Sequence, residues 1–104
     1  MNVQRPDRFD VLICYDVNTL TASGRRRLRK VAKTLEGSGQ RVQFSVFECT
    51  LSDALLLKLR TKLLDIIDMQ EDSLRIYYLP GARERYLESF GRDGWVDFLG
   101  PLIT

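Results

Sequence analysis

FDVLICYDV, residues 9–17, puts Phe9, Val11, Ile13, Tyr15 and Val17 on one face of an extended chain and Asp10, Leu12, Cys14 and Asp16 on the other. Alternation with a period of two marks a strand, and the apolar Leu12 and Cys14 on the second face predict burial of its middle on both sides. Downstream, Asn18-Thr19-Leu20-Thr21-Ala22-Ser23-Gly24 breaks the pattern with turn and cap residues. A helix is then predicted from about Arg25 to Glu36, because Leu28, Val31, Ala32 and Leu35 fall on one helical face and Gly37-Ser38-Gly39 supplies a stop.

Arg41 to Leu51, RVQFSVFECTL, is rich in Val, Phe and Thr and contains no Gly, Pro or Asn to mark a tight hairpin. It reads as one bent strand or two short ones. Ser52 caps a second helix with Asp53 favourably placed in its first turn, and Leu56, Leu59, Leu63, Ile66 and Ile67 form its buried stripe as far as about Asp68. Ser73 to Leu79, SLRIYYL, is a further strand closed by Pro80-Gly81. This order predicts an α+β sandwich of ferredoxin-like type over residues 1–80: a mostly antiparallel sheet, two helices on one face, and the first and last strands central.

The chain has 104 residues, 44% of them apolar and 29% charged, which suits one small domain and rules out a disordered chain. It has no histidine, which removes the Ser–His and Cys–His nucleophile systems and His-containing zinc sites. Carboxylates, Tyr, Lys and two thiols remain. Cys14 and Cys49 form no CxxC and lie in strand-like stretches, so they read as reduced core cysteines of a cytoplasmic protein. No apolar run approaches the ~18–20 residues of a membrane span, and the N-terminus lacks the hydrophobic region of a signal peptide. Residues 81–104 carry Tyr86, Phe90, Trp95, Val96, Phe98, Leu99, Leu102 and Ile103, an apolar surplus that is hard for so small a body to cover alone. This extension is expected either to bury Trp95, Phe98, Leu99, Leu102 and Ile103 against a second subunit or to wrap its own domain.

Arg25, Arg26, Arg27, Arg29, Lys30 and Lys33 are six cations with no acid among them, whereas the other ten basic residues are outnumbered by fourteen acidic ones. Cations at a helix N-terminus oppose the macrodipole, so this placement suits phosphate oxygens, which would satisfy both the arginines and the free N–H groups of the first turn. The alternative is a solvated helix face. Asp16, at the end of a central strand, suits a hard cation that takes oxygen ligands, or else it caps the following turn with Asn18. Glu48 is a further acid in the second strand region. Tyr15, Phe44 and Phe47 invite comparison with base-stacking sheets, but QFSVF lacks the Gly-aromatic-Gly pattern of such modules, and these rings read as core.

Tyr15-Asp16-Val17, the helix GRRRLRKVAK (residues 24–33) and RVQFSVFE (residues 41–48), at this spacing in so short a chain, resemble the CRISPR-associated protein 2 family over about residues 9–80. The resemblance implies a ferredoxin-like homodimer of the spacer-acquisition machinery, beside the CRISPR-associated integrase, protein 1. It further implies a metal-dependent nuclease of single-stranded RNA or double-stranded DNA, or in some systems a non-catalytic scaffold. The family's metal-site aspartate falls on Asp16 and the preceding tyrosine on Tyr15. Its substrate-backbone arginines fall on Arg41 and, more loosely, on Arg27 and Arg29; its serine and aromatic of the second strand motif fall on Ser45 and Phe47. One carboxylate is a poor site for Mg²⁺ or Mn²⁺, but a two-fold axis would bring two copies of Asp16 together. Three functions follow as candidates: an endonuclease with Asp16 at its metal, a DNA-binding scaffold that bridges the integrase, and a free-standing RNA-binding module.

Overall fold

The computed structural model describes residues 8–79, together with Glu88 and Phe90. The elements run β1 (Arg8–Asp16), α1 (Ala22–Glu36), β2 (Gln40–Gln43), β3 (Val46–Ser52), α2 (Asp53–Ile66) and β4 (Ser73–Leu79). All pairings are antiparallel and the sheet order is β2-β3-β1-β4, a ferredoxin-like arrangement. The central strands are therefore β1 and β3, not the first and last. A short turn ties β3 to β2, while α1 separates β1 and β2, leaving a slot between them that β3 fills; β4, after α2, closes on the outer side of β1.

Val11, Ile13 and Tyr15 of β1 meet Phe47, Cys49 and Leu51 of β3 beneath Val31 and Leu35 of α1 and Leu56, Leu59 and Leu63 of α2, forming the main core. A smaller cluster of Val42, Leu12 and Val46 lies on the sheet face away from the helices. Cys14 is half-buried on that open face, whereas Cys49 is buried in the core, where burial and then the nearby Glu48 push its thiol up to about 11. Both are free thiols, on opposite faces of the sheet.

α1 starts three residues before the expected Arg25. Thr21 acts as its N-cap, its hydroxyl accepting from the Gly24 N–H at 3.0 Å. Ser52 caps α2 as anticipated, with Asp53 in the first turn, and the helix ends at Ile66 because Ile67 is already extended. Arg41–Leu51 resolves into two strands joined at Phe44-Ser45, with a register shift between Arg41 and Gln43. No helix among the described residues is long and apolar enough to cross a membrane. The expected burial of Trp95, Phe98, Leu99, Leu102 and Ile103 lies outside the described residues.

Candidate functional site

At one end of the sheet, the last residue of β1, Asp16, stands beside Ser73 at the start of β4, and the β2–β3 turn and the N-terminus of α1 converge there. A cavity of about 430 Å³ opens at this end, lined by Tyr15, Asp16, Arg29, Arg41, Phe44 and Ser45, with Val17, Leu28 and Ala32. Five residues singled out from the sequence thus share one cavity: Tyr15, Asp16, Arg29, Arg41 and Ser45. Asp16 is exposed and is the only carboxylate in the lining. Asn18 holds the following turn, its Oδ1 accepting from the Leu20 N–H at 3.0 Å, so the capping role considered for Asp16 belongs to Asn18.

The β2–β3 turn carries no Gly, Pro or Asn, and long-range donors hold it. Tyr15 donates its hydroxyl to the Phe44 carbonyl at 3.1 Å and its backbone N–H to the Ser45 carbonyl at 3.1 Å. Arg41 donates to the Phe44 carbonyl at 3.2 Å and to Glu36 at 3.3 Å, and its guanidinium lies 5.1 Å from the centre of the Phe47 ring. Two of its five N–H donors are thereby engaged, leaving others for a ligand. Tyr15 is buried and stacks on Phe47, with ring centres 6.3 Å apart. Burial, only partly offset by Arg41, raises the Tyr15 phenol above its usual range, so it stays protonated and keeps donating to the turn.

Two expectations need correction. Phe47 has no exposed surface and cannot touch a ligand; it supports Tyr15 and Arg41 from beneath. Arg27 does have an acidic partner. Its Nε and Nη2 donate to Asp72 at 2.8 and 3.2 Å, and Nη1 donates to Ser23 at 3.1 Å. The Asp72 side chain has 0% of its surface exposed and accepts also from the backbone N–H groups of Asn18 at 3.0 Å and Asp68 at 2.8 Å. The hydrogen bond from Arg27 leads the causes that hold this carboxyl down at about 2. Arg27 thus ties α1 to the turn before β4 rather than reaching for phosphate.

The six-cation run accordingly divides. Arg25, Arg26 and Arg29 are exposed, Arg27 is paired, and Lys30 and Lys33 line a different groove, of about 890 Å³, that α1 shares with Lys58 and Lys62 of α2. That larger groove contains none of the residues expected to do chemistry. Asp10 sits near the far end of β1, accepting from the Thr50 hydroxyl at 2.6 Å, and Glu48 is buried midway along β3. Among the described residues, no group of three or more His, Cys, Asp or Glu side chains could hold a metal ion. What the cavity lining offers is one exposed carboxylate, two guanidinium groups and an exposed aromatic ring.

Sequence reasoning missed Phe44 and Asp72. Phe44 was read as core but is 88% exposed at the tip of its turn. The adjacent Ser45, a residue type common in turns, was a faint sign of a turn. Asp72 gave no local signal, because its partner lies 45 residues away.

The sequence profile described as "CRISPR associated protein Cas2" matches residues 10–85. The chain is 52% identical over 93 residues to the CRISPR-associated endoribonuclease Cas2 of Chlorobaculum tepidum, covering 89% of this chain and 97% of that protein. With the CRISPR-associated endonuclease Cas2 of Halalkalibacterium halodurans it shares 46% identity over the same length, covering 89% and 97% respectively. The crystal structure of Streptococcus pyogenes Cas2 at pH 6.5 superposes with a TM-score of 0.69 at 48% identity, over 79% of this chain and 99% of that one.

Proposed function

The chain belongs to the CRISPR-associated protein Cas2 family, and from that premise we propose that it is a metal-dependent endonuclease that hydrolyses phosphodiesters of RNA or DNA as a homodimer. The observation that carries this reading is the cavity whose lining holds exposed Asp16 together with Arg29 and Arg41. The names of the relatives, endoribonuclease and endonuclease, support the reaction class.

Asp16 alone supplies half of a site for a hard divalent cation, which takes six or more oxygen ligands, several of them water. The face of the sheet turned away from the helices supports a second copy as the source of the other half. It carries the Leu12, Val42 and Val46 cluster and the half-exposed Tyr77, and Asp16 lies on that same face at its rim. Two-fold apposition of such a face brings a residue against its own copy where it lies on the axis, the place this reading gives Asp16. Mg²⁺ or Mn²⁺ held by the paired Asp16 carboxylates would supply Lewis acidity and a water made more acidic. Arg29 and Arg41 hold the phosphate oxygens through their unused N–H donors, and the neutral Tyr15 phenol keeps the Phe44-Ser45 turn in place beside them.

A second reading has its own observation. A single carboxylate in the lining is a thin catalytic inventory, while exposed Arg25, Arg26 and Arg29 suffice for binding a backbone. In that reading the chain is a DNA-binding scaffold bridging copies of the CRISPR-associated integrase, protein 1. Asp16→Asn separates the two. With labelled RNA and DNA and added Mg²⁺ or Mn²⁺, the variant should lose cleavage while keeping its melting temperature; undiminished cleavage refutes the endonuclease. Spacer integration retained in cells carrying Asp16→Asn supports the scaffold.

A further inference from the structure

The three most exposed large apolar side chains among the described residues are Phe44 at 88%, Leu20 at 87% and Met69 at 74%. All three lie on connections at the Asp16 end of the sheet: the β2–β3 turn, the loop from β1 to α1 and the loop from α2 to β4. Stability gives no reason to leave them in water. Phe44 is the most telling, because its backbone is held firmly while its ring is bare. Its carbonyl accepts from both the buried Tyr15 hydroxyl and Arg41, and the next carbonyl accepts from the Tyr15 N–H. The fold thus presents a rigid aromatic face in the same cavity lining as Arg29, Arg41 and Asp16.

We propose that Phe44 is the base-stacking residue of this site, and that the site accepts an unpaired nucleotide: the base lies on the Phe44 ring while its phosphate is held by Arg29 and Arg41. This deepens the phosphodiester reading above and rests on it. An aromatic face takes any nucleobase, so it favours unpaired strands without favouring a sequence. A base inside a duplex has both faces covered by its neighbours and must first be unstacked. Duplex binding therefore rests on the arginines alone, and strand pairing sets whether Phe44 contributes.

The test measures binding apart from cleavage, with metal chelated. Fluorescently labelled single-stranded oligonucleotides and the corresponding duplex are titrated against wild type, Phe44→Ala and Phe44→Trp. Phe44→Ala should weaken single-strand binding by about 5- to 150-fold, leave duplex affinity and the salt dependence of both unchanged, and be rescued by Phe44→Trp. A single-stranded probe containing 2-aminopurine should report stacking by quenching with wild type and Phe44→Trp but not with Phe44→Ala. Equal losses on single strand and duplex, or no loss with Phe44→Ala, overturn the inference and leave the phosphodiester reading standing. Wild-type protein that binds neither form overturns both.

Discussion

Replacing Phe47 by alanine separates its place in the core from a role at the ligand. The ring has no exposed surface, stacks on Tyr15 and lies beneath the Arg41 guanidinium. A buried aromatic side chain covers roughly 150–250 Å². With the share that alanine retains subtracted, about 25 cal/mol per Å² gives a transfer loss of about 2.5–4 kcal/mol. The cavity left behind raises this to about 3–5 kcal/mol. In a domain of this size each kcal/mol moves the melting temperature by about 4–8 °C, so the fall should be roughly 12–40 °C. Circular-dichroism melts at one fixed subunit concentration measure it, since self-association raises apparent stability. Phe47→Leu keeps most of the volume and should cost less than about 1.5 kcal/mol. Nucleic-acid affinity should follow the folded fraction in both variants. A Phe47→Ala protein that melts within a few degrees of wild type yet no longer binds nucleic acid would show that the ring acts at the ligand.

The Asp72 carboxyl, held at about 2 against an ordinary 3.8, contributes stability that is fully present above about pH 4 and lost as pH falls towards 2. Melts of wild type and Asp72→Asn should therefore differ most at neutral pH and converge between pH 4 and 2; a constant gap would contradict this. Arg25→Glu places an acid in a first turn that has none and should raise stability by about 0.3–1 kcal/mol, whereas Arg27→Glu, two residues on, should lower the melting temperature by setting like charges against Asp72. Equal shifts in the two melts would refute that assignment. Gly24→Ala improves helix propensity by about 1 kcal/mol, yet the added Cβ would collide with the Asn18 carbonyl oxygen. Urea unfolding should show a net loss of about 1–3 kcal/mol, and a stabilised variant would refute the tight contact.

Features governed by short-range periodicity were legible in the chain. β1, the α2 cap at Ser52 and the span of β4 follow from alternation, capping chemistry and helical spacing within about ten residues. What was not legible depends on contacts across long separations. The turn at Phe44-Ser45 forms without Gly, Pro or Asn, held by hydrogen bonds from Tyr15, 29 residues before Phe44. Arg27 looked unpaired because Asp72 lies across the fold. The edge position of β4 follows from how strands compete for neighbours, which residue types alone do not decide. Of the residues that share the cavity, Asp16 and Arg29 stand out by their types and positions, while Arg41 and Ser45 were singled out through the family resemblance. The division of the aromatics into buried Phe47 and exposed Phe44 required the pleat and the register shift.

The sheet order also sets when this molecule becomes complete during synthesis. β1 is made first, yet its two neighbours are β3 and β4, so it waits for both before its backbone is paired on either side. The Asp16 end waits until β4 begins, since Asp16 pairs with Ser73 and Arg27 is anchored by Asp72, and Asp10 at the other end waits further, for Leu79. Contacts of such long range close late and slowly. A nascent chain released before β4 would hold the arginine helix without the residue that orients it and β1 without one of its flanks. The Asp16 end is thus assembled only once the chain has reached β4, which keeps a shorter product from presenting the finished cavity.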